Sequence, residues 1–153
     1  MVVASIIGSL RNQVSRRPGE VLALLNRSVM GHTGGGFVTC CAALFLSDGR
    51  VAIANTGHLS PYLGGLGVEV ESGLPLGLVA EIEYEEITID AGEAAMTLLS
   101  DGVIEAANAK GELFGFDRTR DISGKSASEI AEAARSWGQN DDITVVTVRR
   151  RTA

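Results

Sequence analysis

Large aromatic side chains are nearly absent from this chain: one Trp, two Tyr and four Phe among 153 residues, about 5%. With hydrophobic residues at 45%, the core has to be assembled from Ala, Val, Leu and Ile. Cysteine is equally sparse. Cys40 and Cys41 are adjacent, so on a strand they point to opposite faces, and a bridge between them would be strained. That excludes a disulfide framework and fits small core residues in a reducing, cytoplasmic compartment. Long apolar runs are missing too. The first ten residues are apolar but too short to span a bilayer, and they lack the basic region and cleavage site of a signal peptide. Membrane contact is not expected from this chain. Basic charge is the last deficit. Thirteen Lys and Arg against nineteen Asp and Glu leave a net charge of −6, which argues against nonspecific nucleic-acid binding. The short clusters Arg16-Arg17 and Arg149-Arg150-Arg151 read as solvated ends of elements.

What is present is an ordered series of periodic segments. Val2, Val3, Ile6, Ile7, Leu10 and Val14 have the spacing of a core-facing helix. A second helix is expected over residues 18–30, opened by Pro18 and burying Val21, Leu22, Leu24, Leu25 and Val29. Gly34-Gly35-Gly36 is a linker, because no Lys-Ser/Thr follows to make a phosphate loop. Residues 37–46 read as a central strand covered on both faces. Asp48-Gly49 is a hairpin turn, and residues 50–56 return as the next strand. Residues 68–71 and 81–90 alternate as edge strands, with Glu81, Glu83, Glu85 and Glu86 on the wet face. Residues 94–99 and 143–148 are further strands. A short helix is expected from Gly102 to Asn108, residues 111–124 are irregular, and Ser126 with Glu129 forms a capping box opening another helix. The layout is α+β with mostly antiparallel pairing, in a single domain over residues 1–153.

Chemistry concentrates in two motifs. Ser100-Asp101-Gly102 ends one strand and Asn140-Asp141-Asp142 precedes another. Carboxylates at strand ends suit a hard cation such as Mg²⁺ or Mn²⁺. Two of them serve one hydrated ion and do not offset two ions sharing a bridging water. Spacing alone favours ordinary turn residues, since Asp-Gly and Asn-Asp are common turn signals. Glu105, four residues after Asp101, is a candidate for orienting the site or a surface charge. His58 is read as a hydrogen-bonded loop histidine rather than a general acid, and His32 as a cation at a helix C-terminus.

The wider pattern shifts that weight. Six segments in order resemble the metal-dependent type-2C protein phosphatases of the SpoIIE-type branch. They are Glu20-Val21-Leu22-Ala23-Leu24-Leu25-Asn26, Thr33-Gly34-Gly35-Gly36-Phe37-Val38-Thr39, Ala54-Asn55-Thr56-Gly57-His58, Gly73-Leu74-Pro75-Leu76-Gly77-Leu78, Leu99-Ser100-Asp101-Gly102-Val103-Ile104-Glu105-Ala106, and Gln139-Asn140-Asp141-Asp142-Ile143-Thr144-Val145-Val146. The resemblance covers residues 18–149 and is to the C-terminal two-thirds of that domain. It implies an α-β-β-α sandwich and a binuclear Mg²⁺ or Mn²⁺ site that hydrolyses phosphoserine or phosphothreonine. By motif match Asp101 and Asp141 are the metal ligands and Gly102 shapes the metal loop. Asp142 stands where relatives often have Asn.

The resemblance also implies a phosphorylated regulator of the anti-sigma factor antagonist type as substrate, and an N-terminal sensor or receiver domain. The family's Gly-Asp motif, which supplies the bridging carboxylate, has no counterpart here. The chain alone is therefore expected to be inactive or very weakly active, as a trimmed chain, a misplaced start or a degenerate protein. Missing strands are expected to leave an exposed core and self-association. The rival reading is a non-catalytic module that binds a regulator.

Overall fold

The structure is a computed structural model, and it describes residues 17–150. The expected helix at residues 2–14 lies outside that range. Ten elements follow: α1 (Pro18–Val29), β1 (Cys40–Phe45), β2 (Arg50–Thr56), β3 (Tyr62–Leu63), β4 (Leu66–Gly67), β5 (Ile87–Asp90), β6 (Met96–Leu99), α2 (Gly115–Ile122), α3 (Ala127–Gly138) and β7 (Val145–Val148). They form two compact units. Of the described residues, one unit comprises 17–58 and 70–90, the other 59–69 and 91–150. Each pairs helix with antiparallel sheet, so the α+β expectation holds. Among the described residues no helix is long and apolar enough to cross a membrane.

In the first unit α1 lies against the sheet β1-β2-β5. Leu22, Leu25 and Val29 recur at helical spacing, and all three are buried with Ala54, Leu76 and Tyr84. The β1–β2 hairpin closes as expected, with Gly49 in the left-handed region (φ 92°) and the Leu46 amide donating to the Arg50 carbonyl at 2.8 Å. Two strand expectations need correction. The central, fully buried strand is β2, from Val51 to Thr56, while β1 is only partly buried and lies at an end of the strand order. An apolar run reports hydrophobicity, not rank in the sheet. Likewise only Ile87–Asp90 pairs as a strand within residues 81–90.

The N-terminus of α1 carries a further correction. Its N-cap is Arg17, whose side chain caps nothing. Glu86 takes that role: its carboxylate accepts the Gly19 amide at 3.2 Å and pairs with the Arg17 guanidinium. Glu86 is thus not on the wet face. The sequence held a signal for this. Ile82 and Tyr84 point inward, and Glu86 continues their parity before Ile87 and Ile89 switch it.

In the second unit the strand order is β4-β3-β6-β7, with α3 against β7. Leu99, Val103, Ala106, Phe114, Ile130 and Ala134 form its core. The capping box is present: Ser126 accepts the Glu129 amide while Glu129 accepts that of Ser126. The expected edge strand at 68–71 is absent, and pairing falls instead at Leu66–Gly67. Residues expected to be irregular contain α2, a short polar helix whose one buried residue is Thr119. Its weak apolar stripe hid it from periodicity. The arm of Trp137 ties the region together, donating its indole N–H to the Glu112 carbonyl at 2.7 Å, with Arg118 stacked 4.3 Å from the ring centre.

Candidate metal centre

Pairing of β6 with β7 runs from Met96↔Val148 to Leu99↔Val145. That register brings both aspartate motifs to the same end of the strand pair. One residue beyond the ladder, the Ser100 amide donates to the Thr144 carbonyl at 2.9 Å. The Ser100 hydroxyl then accepts the Thr144 amide at 2.9 Å and donates to the Asp142 carbonyl at 3.1 Å. Gly102 completes the contact. A Cβ there would stand 2.3 Å from the Asp142 carbonyl oxygen, so only glycine admits this approach.

The chain past Ser100 does not form the expected helix at 102–108. It makes a turn, in which the Val103 amide donates to the Ser100 carbonyl (3.1 Å) and the Glu105 amide to the Asp101 carbonyl (2.9 Å). Residues 106 and 107 then head into a second turn, where Ala107 bridges to Leu113. Tertiary packing of Val103 and Ala106 into the core decides the matter over local propensity. Glu105 is exposed, and the contact it makes with Asp101 is through its backbone amide.

Asp101, Asp141 and Asp142 are all exposed at this end. Asp101 uses Oδ1 to accept the Gly102 amide at 3.0 Å, and Asp141 uses Oδ1 to accept the Asp142 amide at 2.7 Å. These are local turn bonds of the kind that aspartate favours. Each carboxylate accepts only, and each has further lone pairs for a second partner. Among the described residues no three His, Cys, Asp or Glu side chains gather as a metal cluster. Residues 1–16 contain no acid. Among the described residues the donor set does not fit a caged pair of ions, and the two aspartates offer at most the few carboxylate oxygens that a largely hydrated hard cation takes.

The other candidates are structural. The Asn55 side chain grips the His58 backbone both ways, donating to its carbonyl (2.7 Å) and accepting its amide (3.0 Å). The His58 ring sits with Nδ1 3.4 Å from the Thr39 hydroxyl. His32 caps locally, its Nδ1 2.9 Å from the Met30 carbonyl. Cys40 and Cys41 are half-buried free thiols. Burial, and then its neighbour Cys40, push the Cys41 thiol up to about 11, which leaves it a poor nucleophile at neutral pH. Sequence reasoning missed Asn26, which is 1% exposed. It donates to the Val79 and Ala80 carbonyls (2.7 and 3.1 Å) and accepts the Gly77 amide (2.8 Å). An amide inside the apolar stripe Leu22, Leu25, Val29 was the available signal.

Comparison with known proteins bears on the family and the fold. The family model of Stage II sporulation protein E, SpoIIE, matches residues 1–151. No curated protein matches the sequence. Among solved structures, the RsbU and RsbW domains of a Mycobacterium tuberculosis protein are similar at 23% identity and a TM-score of 0.77, over 98% of this chain and 47% of that one. The SiaA-PP2C domain of Pseudomonas aeruginosa is similar at 22% and 0.71, over 98% of this chain and 68% of the other. The PP2C phosphatase domain and regulatory fragment of SpoIIE from Bacillus subtilis is similar at 20% and 0.66, over 97% and 49%. The chain thus spans about half of the first of these structures. Its mixed fold, two antiparallel sheets with three helices among the described residues, is that of type-2C phosphatase domains. The chain belongs to the SpoIIE family.

Proposed function

We propose that this chain contributes to metal-dependent hydrolysis of phosphoserine or phosphothreonine on a regulatory protein, of the anti-sigma factor antagonist type used in partner switching. The observation that carries the reading is the joining of the Asp101 and Asp141 loops at one end of β6–β7, by a contact that only Gly102 permits. Asp101 and Asp141 are the residues that would hold Mg²⁺ or Mn²⁺, each through oxygen capacity left over from its turn bond. When bound, such an ion supplies a water acidic enough to attack near neutral pH and draws charge from phosphoryl oxygens.

The chain's own residues orient these ligands. Gly102 lets the two loops meet, and the Gly102 and Asp142 amides fix one oxygen of each carboxylate. Exposure of both carboxylates keeps the site open to a protein-borne phosphate. The reading places the protein in the cytoplasm, with a sensor or receiver domain as its regulatory companion. Exposed Phe37, Leu66 and Phe116, at 60%, 75% and 63%, support self-association at high concentration.

Calorimetric titration with Mn²⁺ tests the reading. The chain is expected to bind one ion weakly, and Asp101→Asn to abolish it. Two carboxylates do not neutralise two divalent ions, so phosphopeptide turnover by the chain alone is expected to be very slow or absent. Tight binding of two ions would mean that further ligands exist and that the chain is catalytic as it stands. Absence of any Mn²⁺ binding would instead favour a non-catalytic module that binds a regulator.

A further inference from the structure

Ser100 stands at the point where β6 stops being a strand. Its backbone amide makes a last ladder-like bond to the Thr144 carbonyl. Its hydroxyl then does what the next backbone group of a continuing strand would have done. It accepts the Thr144 amide at 2.9 Å, and with its own proton it reaches the Asp142 carbonyl at 3.1 Å. One side chain thereby occupies both a donor and an acceptor on the opposite loop. Its own main chain is released to turn, which it does at Asp101.

The grip extends one step further. Asp142 is held at both ends of its backbone: its carbonyl by Ser100, and its amide by the Asp141 carboxylate at 2.7 Å. Ser100 is bonded to Asp101 through the chain and to Asp141 through the Asp142 backbone. Among the described residues no other side chain bonds to the Asp142 carbonyl, and Gly102 closes the remaining space beside it. We propose that Ser100 is a positioning residue for the metal ligands, its hydroxyl setting the separation of the Asp101 and Asp141 loops through the Asp142 backbone. Asp142 then acts by its main chain, which explains why a carboxylate next to Asp141 need not be a third ligand. This inference rests on the metal reading given above.

The probe is Mn²⁺ alone, titrated calorimetrically into the whole chain and into Ser100→Ala and Ser100→Thr. Hydrogen exchange of the Thr144 amide is followed in parallel. Outer groups that orient ligands typically change metal affinity by about 10–100-fold. Ser100→Ala is expected to weaken Mn²⁺ by that factor and to speed Thr144 exchange, while Ser100→Thr, which keeps the hydroxyl, restores both. Should Ser100→Ala fail to fold by circular dichroism, Ser100→Cys carries the same expectation, since a thiol fills the space but bonds weakly. Wild-type affinity in the Ala or Cys variant would overturn the inference while leaving the metal reading intact. So would loss of affinity that Thr does not restore. Failure of the wild-type chain to bind Mn²⁺ would overturn the metal reading itself, and this inference with it.

Discussion

Two groups of polar side chains, one in each unit, are used in opposite ways. In the first unit, Asn26 and Asn55 are 1% and 2% exposed, and each bonds in both directions to a distant or turning backbone. Nothing of their hydrogen-bonding capacity is offered to a ligand. In the second unit, Asp101 and Asp141 are exposed, and each spends one oxygen on the amide of the next residue. A buried amide that satisfies three backbone groups is architecture. A surface carboxylate with one local bond keeps capacity to spare. Residue type and burial together separate scaffold from site here, where either alone would not.

Breaking the scaffold side should give the largest effect. Asn26→Ala strands the Gly77 amide and the Val79 and Ala80 carbonyls. It is expected to cost about 3 kcal/mol, seen as a fall of roughly 6–12 °C in melting temperature. A loss below about 1 kcal/mol would show that water replaces the amide and that the loop is not held by it.

Gly102→Ala comes next. Its methyl would meet the Asp142 carbonyl at 2.3 Å, backbone against backbone, so the loops must part. About 2 kcal/mol of destabilisation is expected, together with loss of Mn²⁺ binding. Asp101→Asn sharpens the contrast from the other side. An amide oxygen still accepts the Gly102 N–H, so stability should move by less than about 0.5 kcal/mol while Mn²⁺ binding disappears. A large melting shift in this variant would place Asp101 with the scaffold.

Among the variants expected to lower stability, the smallest effect sits at α3. Removing the cap with Ser126→Ala is expected to cost about 1 kcal/mol. Hydrogen bonds from the Ser126 hydroxyl, then from its amide, hold the Glu129 carboxyl below its ordinary value. A depressed acid stabilises the fold above its unfolded pKa, and that contribution fades as pH falls through the lower folded value. Stability measured by denaturant titration should therefore decline with acidification through that window, and less steeply in Ser126→Ala.

Much of this was legible because it is local. Pro18 at a helix start, the Asp48-Gly49 turn and the Ser126/Glu129 box are encoded within four residues of where they act. Strand rank was not, since β1, apolar throughout, is the less buried, and β2, which carries Arg50, Asn55 and Thr56, is the more buried. The helix expected after Gly102 failed because Val103 and Ala106 are recruited by distant Ile130 and Ala134. At the candidate site, both aspartates and Gly102 were readable as types in a motif. The service of Ser100 to the opposite loop was not, because it joins positions 42 and 44 apart in the chain.

The cap on α1 bears on the order of assembly. Glu86 reaches Gly19 across 67 positions of sequence, so closing that contact carries the entropy of a long loop. The β1–β2 hairpin, joined by a few residues, closes at little such cost. A nascent chain that has emerged only as far as β2 owns the hairpin but not the start of its helix. For α1, the signal that fixes its first turn arrives 67 residues after the turn itself.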